Sequence, residues 1–403
     1  MIKLNQKILE QILEIGGRLL TAGGEAKRVE TAITRLCKAY GASSADVFVI
    51  TSSIVVTARF DDGEPITQTK RITGYSHNLS EFNALNSLSR SICEKPVSAE
   101  EIAKMLSEVK HVRRSLPIKV LCWALVSSSF SIFFGGSAPD GFISAFMGIA
   151  LCLLKSGCDT LSLGNHFSII ICSVIGGLLS IFPGMAGLEV SQFYICIGSI
   201  MLFIPGMVLT NSIRDMLAGD TITGLLRFIE SLIVSMAVAC GFAAFDVMSD
   251  TTGSAHVIAQ LVTAFLGSLG LAFVFNARIK NAVIGALCGL GGWGAVLLCI
   301  ELFNSEILGY FVAAALITLS AEILARVLRC PTTLFIVIAS LPLVPGKSLY
   351  VTMQYATKAN WGRFASQGIT TLIYAIAIAT GIMFMTAICE AFLRLKNRKN
   401  GIL

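Results

Sequence analysis

Four groups of residues in this chain have types and spacings that could carry chemistry. The stretch Leu341–Tyr350, LPLVPGKSLY, holds a Gly346-Lys347-Ser348 like the end of a phosphate-binding loop. Such a loop also needs a glycine five residues before the Gly-Lys pair, so that consecutive N–H groups wrap the phosphates. Position 341 is Leu341 and an apolar run precedes it, which argues against a nucleotide and leaves Pro345-Gly346 to be explained otherwise. A second group follows Pro205-Gly206: Asn211 and Asp215 lie four residues apart on one helix face, with Arg214 beside them and Asp220, Arg227 and Glu230 further on. A carboxylate at membrane depth is costly unless paired or hydrated, and can carry a proton; equally, an interfacial Arg214 and Asp215 would do no more than anchor a loop. The third group is Gly24, Arg28 and Glu30 in GGEAKRVE, where Gly23-Gly24 would open amides at a helix start, or where Glu25 and Arg28 simply share a solvated face. The fourth, Thr51-Ser52-Ser53, offers hydroxyls but no nearby histidine or acid to act as base. Glu322 and Arg326, one turn apart, read as an ion pair at a helix end.

These groups sit in a chain of 403 residues that is 54% hydrophobic and 14% charged, with mean hydropathy +0.76, which makes it a polytopic membrane protein. Just over half of the charged side chains fall in the first 115 residues, so a polar head precedes a membrane body. The N-terminus mixes charges into an amphipathic period and has no uninterrupted apolar core with a small-residue cleavage site, so no signal peptide is expected and the head should stay in the cytosol. The twelve cysteines contain no C-x-x-C pair and read as small buried hydrophobes. The four histidines, His77, His111, His166 and His256, lack zinc-ligand spacing, so neither a metal nor another cofactor is expected. The net charge of +6 sits largely beside membrane segments, which excludes a nucleic-acid surface and leaves the lipid bilayer as the partner of the charges.

In the head, residues 4–21 repeat apolar side chains at helical spacing, Gly23-Gly24 interrupts, and a second helix runs to Gly41. DVFVIT, SIVVTARF and ITQTKRI are rich in β-branched residues, and the turn Asp61-Asp62-Gly63 separates the last two, so a small antiparallel sheet follows. Ser98 and Glu101 form a capping box for a helix leading to Arg113-Arg114 at the membrane. The spacing therefore predicts a small cytosolic α+β (α/β) domain over 1–115 joined to a membrane α-helical bundle.

Apolar runs long enough to span begin near residues 116, 139, 167, 191, 223, 256, 281, 305, 331 and 368, which makes about ten transmembrane helices. Lys110, Arg113, Arg114 and Lys119 flank the first, and Arg394, Lys396, Arg398 and Lys399 follow the last, so both termini are expected in the cytosol. Lys155, Arg214, Arg227, Arg278, Lys280, Arg326 and Arg329 mark the other inner loops, while Lys347, Lys358 and Arg363 fall on the expected outside. The segment from Phe203 aligns without a gap on the segment from Leu343: Pro205 matches Pro345, Gly206 matches Gly346, and Leu209 matches Leu349. Domains are therefore expected at 116–250 and 251–403, each with five spans. An odd number inverts the second repeat, the architecture of many secondary transporters. A Pro-Gly frees backbone groups that lipid tolerates only where protein or a water-filled cavity covers them, so the paired breaks point to a substrate site between the halves; the other reading is a kink at a helix end. Tyr355 and Thr370 stand where the first half has Asp215 and Glu230.

LLTAGGEAKRVE, the TSSIVVTARF strand, Asn86-Ser87-Leu88-Ser89-Arg90, and IPG with Asn211, Asp215, Gly219 and Gly224 together resemble the threonine/serine exporter family, along the whole chain and in its fused two-half form. The resemblance implies a non-enzymatic exporter in the cell (inner) membrane. It would take threonine, serine or another small hydrophilic molecule, be driven by protons, and leave C4 dicarboxylates such as succinate as an alternative substrate. The motif positions it carries over are Gly24, Arg28, Val29 and Glu30, and Pro205, Gly206, Asp215, Gly219 and Gly224. Gly24 stands where alanine is common, and Lys347 after the second Pro-Gly is unexpected and would favour anions. A homo-oligomer is left open, as are a hydrolase or a partner-binding receptor built on the head.

Overall fold

The computed structural model describes all residues except 1, 61–62, 75–77, 111, 113, 162, 244–255 and 400–403. The turn residues Asp61 and Asp62, His77, His111, Arg113, the boundary at 250–251 and the side chains of Arg394, Lys396, Arg398 and Lys399 lie outside the described residues. The chain divides into two compact units: Met1–Arg113 with Asp215–Leu226 and Phe275–Arg278, and Arg114–Arg214 with Arg227–Val274 and Ile279–Leu403.

In the first unit, α1 (Ile2–Thr21) turns Ile8, Ile12, Ile15 and Leu19 inward at helical spacing and stops before Gly23, whose φ of 101° only glycine adopts without strain. Helix α2 (Ala26–Ala39) buries Val29, Ile33 and Leu36. Strands β1 (Ala42–Ile50), β2 (Ser53–Phe60) and β3 (Ile66–Arg71) form an antiparallel sheet in that order, with Thr51-Ser52 as the two-residue loop between paired Ile50 and Ser53. The alternation of β2 sends Ile54, Val56, Ala58 and Phe60 to the helices. Asn78 caps α3 (Leu79–Glu94), and Ser98 with Glu101 forms the expected capping box on α4 (Ala99–Glu108). Arg18 fastens three of these helices, reaching Glu81 at 2.7 Å and the carbonyls of Leu106 and Val109 at 2.7 and 3.0 Å. Two distant segments complete the unit through hydrogen bonds. The Thr223 hydroxyl donates to the carbonyl of Val49 (3.2 Å), and Leu79 N–H and the Ser80 hydroxyl donate to the carbonyls of Phe275 (2.9 Å) and Asn276 (2.6 Å).

The helices that follow are α5 (Leu116–Phe133), α6 (Ala138–Thr160), α7 (Asn165–Leu179), the single turn α8 (Phe182–Met185), α9 (Gln192–Ile200), α10 (Gly206–Leu217), α11 (Thr221–Ala243), α12 (Val257–Val274), α13 (Ile279–Phe303), α14 (Glu306–Val327), α15 (Thr332–Ala339), α16 (Gly346–Thr357) and α17 (Trp361–Lys399). Among the described residues, eight helices are long and apolar enough to cross a membrane. The other two of the ten apolar runs are interrupted, as α9/α10 and α15/α16. At about 1.5 Å per residue, none of these four pieces covers the roughly 30 Å of a hydrocarbon core. The cause is local: Pro205 and Pro345 have no N–H to donate, and their rings clash with the preceding turn.

Element boundaries recur along the chain. Helices α9 and α15, α10 and α16, and α11 and α17 each begin 140 residues apart, at Gln192 and Thr332, Gly206 and Gly346, and Thr221 and Trp361. Packing partners recur too: α5 packs on α6 and α9, and α12 packs on α13 and α15. Side chains are sorted as lipid requires, with Ser127, Ser131, Ser268 and Thr318 fully buried and Leu121, Ile258 and Leu302 exposed. Without a hydrophobic drive between helices, close packing of small residues and inward hydroxyls supply the association.

Candidate functional site

The two helix interruptions are built alike. Phe203 and Ile204 N–H both donate to the carbonyl of Ile200, and Leu343 and Val344 N–H both donate to that of Ser340. Past each turn the proline carbonyl starts the next helix, Pro205 accepting from Leu209 N–H at 3.0 Å and Pro345 from Leu349 N–H at 2.9 Å. The two starts then cross. A Cβ on Gly206 would lie 2.1 Å from Val344 Cγ1 and 3.8 Å from Gly346 Cα, and one on Gly346 would lie 2.9 Å from Met201 Sδ. The repeated Pro-Gly is thus one point where the two repeats touch, beside the packing of α5 on α12: proline ends one helix and glycine admits the other segment. The Gly346-Lys347-Ser348 triplet is the first turn of α16, with no strand before it.

Around this crossing the apolar wall carries selected polar groups. Lys347 Nζ stands over the rings of Phe134 (5.5 Å) and Phe193 (5.7 Å). The Ser127 hydroxyl donates to Ser199 Oγ at 3.1 Å, in full burial. The hydroxyl oxygens of Ser131 and Ser268 are buried with no hydrogen-bond partner among the described residues. Next to Lys347, Ser348 meets Thr371 (2.7 Å) and accepts from Gln367 Nε2 (2.8 Å), and Thr352 meets Thr371 at 3.0 Å.

Asn211, Arg214 and Asp215 stand elsewhere. Asp215 is nine residues beyond Gly206, about 14 Å along α10. Arg214, Asp215 and Arg227 are all buried charges, at 9%, 6% and 9% exposure. The positions 140 residues later are Gln354, Tyr355 and Gln367. The expected site residues therefore separate into a crossing, with Pro205, Gly206, Pro345, Gly346 and Lys347, and a charged far end of α10.

The third group, Gly24, Arg28 and Glu30, lies in the first unit. Gly23 and Gly24 N–H donate to the carbonyls of Leu20 (3.1 Å) and Leu19 (2.9 Å), so both amides are engaged within the turn. A Cβ on Gly24 would come 2.7 Å from Leu19 O. Arg28 is half-buried on α2, and Glu30 accepts from Val49 N–H at 3.2 Å. Burial pushes the Glu30 carboxyl above its ordinary value of 4.5 and the Asp220 carboxylate adds to the rise, while the Val49 N–H and Lys27 oppose it. Val49 is thus gripped from two sides, its N–H by Glu30 and its carbonyl by Thr223. Glu322 and Arg326 form the expected pair in the last turns of α14, at 2.8 Å.

Sequence reading missed Thr223, Phe134, Phe193 and the serines of α5. The serines had a signal, the run Ser127-Ser128-Ser129-Phe130-Ser131 inside an apolar span; the two rings had none, being ordinary residues of a phenylalanine-rich chain.

Apolar helices of spanning length with inward hydroxyls, arranged around two helix breaks that touch, define a multi-pass α-helical membrane protein. Comparison with known proteins then gives its family. Residues 10–249 match the family described as "Putative threonine/serine exporter", and residues 260–388 match "Threonine/Serine exporter, ThrE". The chain belongs to the threonine/serine exporter family. It is 21% identical over 404 residues to a "Threonine/serine exporter" of Corynebacterium glutamicum, covering 93% of this chain and 80% of that protein. It is also 24% identical over 227 residues to a "Probable succinate transporter subunit YjjP" of Klebsiella aerogenes (55% of this chain, 86% of that protein), and 22% identical over 235 residues to the Escherichia coli protein of the same description (57% and 90%). No solved structure matches the chain.

Proposed function

We propose that the protein exports a small hydrophilic amino acid, threonine or serine, from the cytosol across the inner membrane in exchange for protons, without catalysing a reaction. The observation that carries this reading is the contact of Gly206 with Val344 and Gly346, where two interrupted helices start against each other. Interrupted helices expose main-chain groups at membrane depth, and a polar solute is the cargo they suit. In this reading α9/α10 and α15/α16 complete ten passes, each half makes five, and the halves run in opposite directions about a site bounded by Pro205, Gly206, Pro345, Gly346 and Lys347. Residues 1–115, with the Gly24, Arg28 and Glu30 motif, form a cytosolic domain, both termini are cytosolic, and Asp215 with Asn211 and Arg214 moves the coupling proton. The family match and the Corynebacterium relative support the amino-acid cargo.

A second reading, export of a C4 dicarboxylate such as succinate, is favoured by the cation Lys347 at the crossing and by the two relatives described as succinate transporter subunits. One experiment separates them. Cells overproducing the chain are fed threonine- and serine-containing dipeptides, and internal and external amino acids and dicarboxylates are measured. Threonine or serine leaving the cell supports the first reading and succinate the second; unchanged external amounts of all three, with the protein inserted, sink both.

A further inference from the structure

We infer that Lys347 binds the carboxylate of the transported molecule, at the place where the first turns of α10 and α16 meet; this rests on the transport reading above and names the chemistry of its site. Lys347 is the second residue of α16, and its ammonium faces the rings of Phe134 and Phe193. Among the described residues no carboxylate lies within ion-pair distance of it. Aromatic faces offset part of the cost of holding a cation away from water, but they leave its charge uncancelled. The backbone adds to that charge. Pro345 supplies no side-chain cap to α16, and the start of α10 comes to the same spot, so the positive ends of two helix dipoles meet at Gly346, the residue before Lys347. A buried hydroxyl lies on the same side of α5 as the Phe134 ring that Lys347 faces. Ser131 is fully buried, its hydroxyl has no partner among the described residues, and it lies one turn before Phe134 on α5. The same hydroxyl is 3.1 Å from where a Gly136 Cβ would stand, a position 3.0 Å from Tyr194 Cβ, the neighbour of Phe193.

An ammonium, two helix starts and an unused hydroxyl without a protein counter-charge suit a small anion that brings its own carboxylate. The first half has Met207 at the position matching Lys347, so the carboxylate end of the cargo belongs to the second half. The α-carboxylate of an amino acid and either end of a dicarboxylate meet this description, and the test is arranged to tell them apart.

Purified full-length protein is titrated by thermal shift with L-threonine, succinate, and the amides L-threoninamide and succinamide, which lack the carboxylate charge. The wild-type protein is expected to respond to at least one carboxylate and about tenfold more weakly to its amide, and the acid that acts names the source. Lys347→Met raises the half-saturating concentration at least about tenfold, whereas Lys347→Arg stays within about threefold. Without ligand, Lys347→Met unfolds at the same or a higher temperature, because an uncompensated charge has been removed; a purely structural lysine predicts the opposite. Equal responses to acid and amide, no response to either acid, or unchanged half-saturation in Lys347→Met overturns the inference. Where Lys347→Met does not fold, Lys347→Gln takes its place under the same criteria, and the acid and amide comparison, which needs no variant, can by itself overturn the inference. Wild-type vesicles that carry labelled threonine or succinate while Lys347→Met binds normally leave transport standing and remove only Lys347; wild-type vesicles that carry neither remove the transport reading.

Discussion

Helices α10 and α11 have the same lengths, turn geometry and starting register as α16 and the first part of α17, yet the two hairpins hold opposite chemistry. Where the first buries Arg214, Asp215 and Arg227, the second has Gln354, Tyr355 and Gln367. In the second hairpin Ser348, Thr352, Gln367 and Thr371 satisfy one another through neutral hydrogen bonds. A buried charge costs several kcal/mol unless it is paired, and a buried hydroxyl costs far less once bonded, so drift alone would favour the neutral version. Repeated geometry with unequal charge means that this pair of helices can be built with or without ions at these positions. In the transport reading proposed above, the charges of the first copy are given the coupling task, which the second copy does not share.

The largest expected effect comes from erasing that difference. Asp215→Asn gives the first hairpin an uncharged residue, as the second has in Tyr355. If Asp215 moves the coupling proton, net proton-driven efflux from reconstituted vesicles falls at least about tenfold, about 1.4 kcal/mol of barrier. Exchange of labelled substrate across the same vesicles persists, because the amide mimics the protonated acid. Loss of both activities with poor folding assigns Asp215 to structure, and wild-type net efflux with unchanged pH dependence removes it as the carrier.

A smaller effect separates the two glycines at the crossing. In Gly206→Ala the new methyl lands 2.1 Å from a branched Val344 side chain, while in Gly346→Ala it meets the sulfur of Met201, the movable part of a flexible residue. Gly206→Ala is expected to lose about 1–3 kcal/mol of stability and Gly346→Ala less than about 1 kcal/mol. Val344→Ala in the Gly206→Ala background restores most of the loss, as read by thermal unfolding in detergent. Equal losses, or no recovery in the double variant, would break the contact described at the crossing.

The loop after α10 differs from the loop after α16 in belonging to the first unit, where Thr223 and Glu30 hold Val49 and Asp220 lies in the field of Glu30. A carboxyl held above its ordinary value binds its proton more tightly folded than unfolded. Its contribution is complete below about pH 4.5 and is lost as the pH rises through the raised value. Glu30→Gln keeps an oxygen for Val49 N–H and has no such titration. Wild type should therefore lose stability relative to Glu30→Gln as the pH rises above 4.5, and the difference should be small, because Glu30 is only half-buried. Hydrogen exchange at Val49, followed from pH 4 to pH 8, reads it directly; a wild-type advantage that grows with pH would reverse the sign.

Much of this was legible in the residues and some was not, for physical reasons. The β-branched strands, the Ser98 and Glu101 cap, the apolar spans and the repeated Pro-Gly all rest on local rules, and each local rule has a sequence signature. The interruption of two spans followed from Pro205 and Pro345, but the contact between Gly206 and Gly346 did not, because residues 140 apart meet only through the packing of both halves. Thr223 and Asn276 were invisible as parts of the first unit for the same cause: the first turn of an apolar helix, or a turn between two, carries no mark of what binds its carbonyls and hydroxyls. Of the two readings of Gly23-Gly24, the one with open amides does not hold, because the turn they form engages both N–H groups. Gly219 is legible as part of a motif, whereas its matching residue, Ala359, is an ordinary alanine that carries no signal of its backbone conformation.

That residue carries the smallest expected effect. Helix α10 ends with Asp220 N–H donating to Asp215 O and Gly219 N–H to Met216 O; α16 ends with Asn360 N–H donating to Tyr355 O and Ala359 N–H to Ala356 O. Both are the same left-handed helix stop, with φ of 97° at Gly219 and 53° at Ala359. A left-handed alanine costs about 1–2 kcal/mol from the approach of its Cβ to the next carbonyl, while glycine costs about 0.5–1 kcal/mol in lost chain entropy. The first exceeds the second, so Ala359→Gly should stabilise the protein by about 0.5–1 kcal/mol, and Gly219→Ala should destabilise it by a similar amount. Ala359 is exposed and a Cβ on Gly219 would meet nothing within 4 Å, so packing does not enter either change. Thermal unfolding of the two variants in detergent checks the pair. Opposite shifts of similar size confirm that the hairpins share one stop and differ only in how well the residue suits it; a loss in Ala359→Gly would mean that the second hairpin relies on its alanine for something other than backbone geometry.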